Sequence, residues 1–364
     1  MKRELEPMRL RSRDTGSCKR ALITGGMGFI GSNLALRLVE LGADVTVVDS
    51  RVVDCGSNPW NLSGAPREIK VIERDISEAA GLQREISESD VIFNLASEIS
   101  HIHSMQYPQR DCELNAVAQL RFVQACERFN PGVRIVYAST RQIYGIPRYL
   151  PVDEAHPIHP VDYNGVHKYA AMMYHLIAAR RGRLDAVVLC LSNVYGPRMA
   201  INIPCQGVLG NFVRGLMRGT RLEVFGNGRQ LRDPVYVDDV VDAFLRAAEV
   251  RRPRSRTYNV GGPDALALRK IAQIASSAAG VAAPVIHPFP KERKSFDIGS
   301  YYSDSSLILR ELGWKPRVKF EEGIGRTLEY YRKELSHYLE PDCDHTGCKL
   351  TEQKSARGMI AAAL

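Results

Sequence analysis

The sequence predicts an α/β fold: a doubly wound parallel sheet with a smaller, interleaved C-terminal part. Three observations carry this. Apolar runs rich in β-branched residues alternate with helical stretches from residue 20 to about 196. The runs are nearly continuously apolar, as in parallel strands covered by helices on both faces. After about residue 195 the pattern becomes irregular, with more Gly, Pro and Arg.

In chain order, RALITG (20–25) is the first strand, followed by a glycine-rich turn and the helical pattern FIGSNLALRLVELG (29–42). DVTVVDS (44–50), EIKVIERD (68–75), DVIFNLAS (90–97), VRIVYAST (133–140) and LDAVVLCLSNVYG (184–196) are the second to sixth strands. Helical stretches separate them, notably 113–129 and 164–181. There are no internal repeats. The expected division is a basic tail over 1–18, a first domain over 19–195, a second over 196–335 interleaved with it, and a C-terminal tail over 336–364.

A chain of 364 residues with 45% hydrophobic and 25% charged residues is long enough to bury a sizeable core and ordinary for a globular protein. No apolar run approaches the roughly 20 residues that span a bilayer, and the basic, polar start MKRELEPMRLRSRDTGSCKR lacks the apolar stretch of a signal peptide. A cytoplasmic protein with no membrane partner is expected. The eight cysteines (18, 55, 112, 126, 190, 205, 343 and 348) are scattered, which suggests reduced thiols and not a disulfide framework. The net charge of +8 is concentrated in the N-terminal tail and in RRPRSR (251–256). Without aromatic–basic interleaving or a DNA-binding motif, it does not point to nucleic acid. Cys343, His345 and Cys348 near the C-terminus fall short of a four-ligand structural site, so no metal is expected.

The first motif with chemical content is TGGMGFIG, with Gly25, Gly28 and Gly31 placed between a strand and a helix. Glycines there permit a tight turn and close backbone approach, so that amides at the helix N-terminus meet a pyrophosphate. Asp49 ends the next strand, about twenty residues on, where a carboxylate binds adenosine ribose hydroxyls and repels a 2′-phosphate. The domain is therefore expected to be Rossmann-type and to bind NAD in preference to NADP, although Arg51 lies close by.

The Gly-x-x-Gly-x-x-Gly spacing with Phe29-Ile30-Gly31 resembles the extended short-chain dehydrogenase/reductase family, the NAD-dependent nucleotide-sugar epimerases and dehydratases. The resemblance runs from about Lys19 to Lys333. It includes RDI (74–76), NLAS (94–97), YASTRQIYG (137–145), LSNVYGPR (191–198), RQLRDPVYVDDVVDAF (229–244), YNVGG (258–262) and LGWKP (312–316), in order. It implies that Asp75 and Ile76 contact the adenine, and that Leu95, Ala96, Ser97 and Asn115 lie along the cofactor.

In such proteins a hydride leaves a sugar carbon for NAD while a base takes the hydroxyl proton, and the keto-sugar is then reduced or transformed further. The resemblance makes Thr140 the hydroxyl that binds the reacting oxygen and Lys168 the lysine on the nicotinamide ribose. The base is usually a tyrosine four residues before that lysine. Here Asn164 stands there and Tyr163 lies one residue further away. Positions i and i+4 lie about 40° apart around a helix and i and i+5 about 140°, so Tyr163 serves only if the helix start is distorted. Asparagine is no base near neutrality. Tyr163 is the first substitute, with His101, His103 and His167 behind it.

Dehydratases of the family carry Asp-Glu after the catalytic Thr, and its UDP-glucuronate decarboxylases usually carry a glutamate in this turn. Here the pair is Arg141-Gln142, which favours epimerisation; decarboxylation, dehydration or net oxidoreduction of the same keto-sugar, and binding of NAD and a nucleotide sugar without turnover, stay open. Arg141 either faces solvent or pairs with a sugar carboxylate. For the nucleotide-diphosphate sugar, the resemblance implies contacts from Asn193, from Gln206 and Gly207, and from Arg232, with Arg198 a weaker candidate. UDP, GDP, CDP and dTDP sugars all remain open. Helices 113–129 and 164–181, apolar on more than one face, form the four-helix bundle of a homodimer in the family.

Overall fold

The computed structural model describes residues 20–339, apart from 53–54, 204–206, 250–254 and 290–297. The six expected strands form within it: β1 (Arg20–Thr24), β2 (Asp44–Asp49), β3 (Lys70–Glu73), β4 (Val91–Asn94), β5 (Arg134–Thr140) and β6 (Asp185–Leu191). A seventh, β7 (Arg256–Val260), comes from the irregular second half and pairs with β6. The order is β7-β6-β5-β4-β1-β2-β3, and every pairing is parallel.

Strand alternation divides the core between the two sheet faces. Ala21 and Ile23 of β1 join Val47, Phe93, Val136, Leu189 and Phe244 on one face, while Leu22 joins Val48, Ile92, Ile135 and Phe122 on the other. Helix α1 (Phe29–Glu40) covers the first face with Leu34, Ala35 and Leu38. On the second face lies α3 (Ala118–Phe129), which continues a π-helical turn at Glu113–Val117. A third cluster, built on Tyr195, Phe212, Val213, Ile271, Phe320 and Tyr331, belongs to the C-terminal half.

Several motifs of the second half are structural clasps. Trp314 is fully buried and its indole donates to the Asp239 carbonyl. The Asp239 carboxylate accepts the amides of Arg317 and Val318, each at 3.0 Å. Asp233 accepts from Ser192 and from the Ser303 amide, tying the end of β6 to a distant loop.

The strand order reverses between β1 and β4, and the crevice above their C-terminal ends is where open α/β sheets take ligands. Gly25, Asp49, Leu95, Thr140 and Asn193 all stand just at or beyond strand ends.

Candidate active site

A cleft of about 330 Å³ runs across these strand ends. Its floor begins with the β1–α1 turn. Gly25 has φ +67°, and a Cβ there would stand 2.9 Å from the Ala96 backbone. At Gly31 a Cβ would stand 2.3 Å from the Gly25 carbonyl oxygen. The turn therefore closes only with glycine. Helix α1 starts at Gly28 with no side-chain cap, leaving its first amides for an anion.

Asp49 is buried in the same cleft. Its Oδ2 accepts the Met27 amide and its Oδ1 the Arg51 amide, each at 3.0 Å. The Arg51 guanidinium does not turn to the cleft but pairs with Glu73 at 3.1 Å. The capless amides, the buried Asp49 carboxylate and the diverted arginine fit an adenine dinucleotide without a 2′-phosphate. Asp75, Ile76, Leu95, Ala96 and Ser97 line the cleft beyond them.

At the opposite end, β5 delivers Ser139 and Thr140. Thr140 Oγ1 accepts the Gln142 amide at 3.2 Å and so keeps its own proton for another acceptor. Helix α4 (Tyr163–Arg180) begins regularly: Asp162 is its N-cap, accepting the Gly165 amide at 2.7 Å. That regular start decides the fate of the two residues in question. Asn164 is 1% exposed and lines the cleft with Lys168, whereas Tyr163 is 45% exposed, stacks beside His167 and lies outside the cleft. The expectation that Tyr163 substitutes as base is corrected on this ground.

Asn164 Nδ2 donates to the Glu98 carbonyl at 3.0 Å and to Asp111 Oδ2 at 2.9 Å. Both partners are acceptors, so both amide protons are engaged and only Oδ1 remains, as an acceptor. Lys168 is 4% exposed. Burial pulls its pKa down to about 8, opposed by the nearby carboxylates of Asp111 and Glu98.

Three further expectations shift. Asn115 is buried but does not line the cleft; it accepts the Glu98 amide and donates to the Glu98 carbonyl and to Asp111, clamping the loop after β4. Arg232 donates to the carbonyls of Leu231 and Gly299 and also lies outside the cleft. Arg198 likewise turns to Asn33 and Asn61. Gln206 and the Cys343–Cys348 segment lie outside the described residues. Asn193 does line the cleft, and its buried Oδ1 has no hydrogen-bond partner among the described residues. Gly207 lies beside it.

Sequence reasoning left Arg141 undecided and missed Asp162. Arg141 lies inside the cleft, its guanidinium 5.0 Å over the Tyr301 ring. Asp162 reaches beyond its helix to the loop after β4, where its Oδ2 lies 2.5 Å from His101 Nδ1. The one available signal was an aspartate at a helix start, which by itself says only N-cap.

Comparison with known proteins agrees with this geometry. The model of the NAD dependent epimerase/dehydratase family matches residues 21–261. The UDP-glucose 4-epimerase of Mycolicibacterium smegmatis is 32% identical over 318 residues, covering 86% of this chain and 98% of that protein. UDP-glucuronic acid decarboxylase 1 of Xenopus tropicalis is 31% identical over 331 residues, 88% of this chain and 73% of that one. The crystal structure of UDP-glucose 4-epimerase from Thermotoga maritima, with UDP-glucose, is similar at a TM-score of 0.78 and 31% identity. It covers 87% of this chain and 99% of that one.

Proposed function

The chain belongs to the NAD dependent epimerase/dehydratase family, and we propose that it is an NAD-dependent nucleotide-sugar epimerase that works through a transient keto-sugar with an atypical catalytic base. The observation that carries this reading is the single cleft that joins a dinucleotide cradle at Gly25–Gly31 and Asp49 to Thr140, Lys168 and Asn193.

Bound NAD supplies the hydride acceptor and donor. The chain's own groups do the rest. The Thr140 hydroxyl donates to the reacting sugar oxygen, and the Lys168 ammonium holds the nicotinamide ribose. The same ammonium lowers the energy of negative charge on that oxygen. Asn164 Oδ1 accepts from a sugar hydroxyl or water and so orients without removing a proton. Asn193 meets the diphosphate side of the nucleotide. Arg141-Gln142 offers no carboxyl group to protonate a departing hydroxyl, which favours simple return of the hydride to the other face of the ketone. UDP is the first choice of nucleotide, since the epimerases and the decarboxylase compared above are named for UDP-sugars.

A homodimer through α3 and α4 belongs to the same proposal, supported by the exposed Leu120, Val166 and Ile177 on these helices. So does a cytoplasmic setting, in which thiols such as Cys126 and Cys190 stay reduced.

A second reading is favoured by Arg141. Its guanidinium stands in the cleft, where the negative charges of Asp233 and Asp162 favour its charged form, and is suited to a sugar carboxylate. That reading makes the substrate a nucleotide-linked uronic acid, with epimerisation or decarboxylation as outcome. Incubating the protein and NAD with a panel of nucleotide sugars, UDP-glucuronic acid included, tests both. An epimer at unchanged mass supports the first reading, and loss of carbon dioxide supports the decarboxylase form of the second.

A further inference from the structure

Removal of a hydroxyl proton needs a base within the reacting end of the cleft. Asn164 has no such capacity, and the Tyr163 ring is outside. The Glu98 carboxylate is engaged by Cys55 Sγ at 3.0 Å and by the Ser100 amide at 3.3 Å. The Cys55 thiol is pushed far above its ordinary range, by burial first and by Glu98 second. Asp49 and Asp75 stand at the adenosine end. One group remains.

His101 opens the short helix α2 (His101–Gln106) and lines the cleft. Its Nδ1 lies 2.5 Å from Asp162 Oδ2. A carboxylate can only accept, so Nδ1 carries the proton and Nε2 presents its lone pair. That lone pair faces the Gln142 side-chain amide, whose backbone N–H in turn binds Thr140 Oγ1. Histidine and threonine therefore flank one residue, and a sugar hydroxyl that displaces the Gln142 amide meets both. Asp162 is itself fixed, because its Oδ1 caps α4.

We infer that His101, oriented by Asp162, is the general base of this site in place of the missing tyrosine; this rests on the epimerase reading above. His101 Nε2 takes the hydroxyl proton as the carbinol carbon gives its hydride to NAD. The O–H and C–H bonds break and the C=O bond forms. The imidazolium is balanced by Asp162, and both proton and hydride return in the reverse step. Asp162 is a positioning residue.

The test uses the full chain with NAD and whichever nucleotide sugar the parent converts. His101→Ala is expected to lose 10²- to 10⁴-fold in kcat, the usual worth of a general base. Added imidazole is expected to restore part of it, and the dissociation constants of NAD and UDP, measured by calorimetry, are expected to change by less than about twofold. Asp162→Asn keeps the helix cap, but ¹⁵N-histidine spectra should show His101 leaving the Nδ1–H tautomer. Turnover of His101→Ala within about threefold of the parent would overturn the inference. So would a loss that imidazole does not rescue and that weakened NAD binding accompanies, since His101 would then be structural. An unchanged tautomer in Asp162→Asn would overturn the role of Asp162. A parent inactive on every sugar sinks the epimerase reading; an active parent with an active His101→Ala sinks only the base assignment.

Discussion

Asn164 donates to Asp111 Oδ2 at 2.9 Å, across 53 residues of sequence, and this bond fixes the amide at the reacting end of the cleft. Asp111 also takes a bond from Asn115 at 3.0 Å and from His167 at 2.6 Å. The residue at 164 is therefore built into a buried polar network instead of being presented to the substrate as a proton acceptor.

Asn164→Ala removes two hydrogen bonds but no base. It should destabilise the fold by roughly 1–3 kcal/mol and leave kcat within about an order of magnitude of the parent. Denaturant melts and steady-state turnover check the two halves. A loss on the scale of 10³ in kcat would mean that the amide acts on the reacting oxygen.

Tyr163→Phe removes only a hydroxyl from an exposed ring outside the cleft. Its kcat should stay within about twofold of the parent. A general-base-sized loss in that variant would require the start of α4 to rearrange on substrate binding.

The cofactor preference follows from Asp49 and from the diversion of Arg51 to Glu73. NAD should bind at least roughly tenfold more tightly than NADP, about 1.4 kcal/mol. Asp49→Ala should narrow the gap. Equal dissociation constants in the parent protein would contradict the reading of the cradle.

Lys168, with its pKa lowered to about 8 by burial, loses its ammonium as pH rises through that value. If the ammonium holds the ribose, NAD affinity should fall by roughly fivefold from about pH 8 to about pH 9. The fold responds with the opposite sign. The unfolded chain keeps this proton to higher pH, so stability should gain from this group as pH climbs past 8. Calorimetric titrations of NAD in the parent and in Lys168→Met isolate the binding effect, because the variant should bind weakly and without that pH dependence.

The exposed apolar residues on α3 and α4 should be covered by a second copy of the chain. Sedimentation at micromolar concentration is expected to give a dimer, and Val166→Asp to give a monomer. A parent that sediments as a monomer would remove the four-helix bundle from the account.

The strands from β1 to β6 were legible because continuous β-branched runs have few alternatives to a doubly covered sheet. β7 was not, since its five residues follow an irregular, basic stretch and belong to the sheet only through pairing with β6. Asp49 and the glycine turn were legible from spacing alone, because the chain between them is short and its geometry local. Asn115 and Arg232 matched a pattern by position, yet their side chains turn to nearby backbone groups, an outcome set by packing that a motif does not encode. The contact between Asp162 and His101 lies across 61 residues and joins the starts of two separate helices, and no local signal announces it.

Interconversion of epimeric nucleotide sugars by this chain is tested most directly by nuclear magnetic resonance and mass spectrometry of UDP-sugars incubated with the protein and NAD. A second UDP-sugar of unchanged mass is expected, approaching the same equilibrium ratio from either epimer with no net consumption of NAD. A product that has lost water or carbon dioxide, or UDP-sugars that bind yet stay unchanged across the panel, would contradict it.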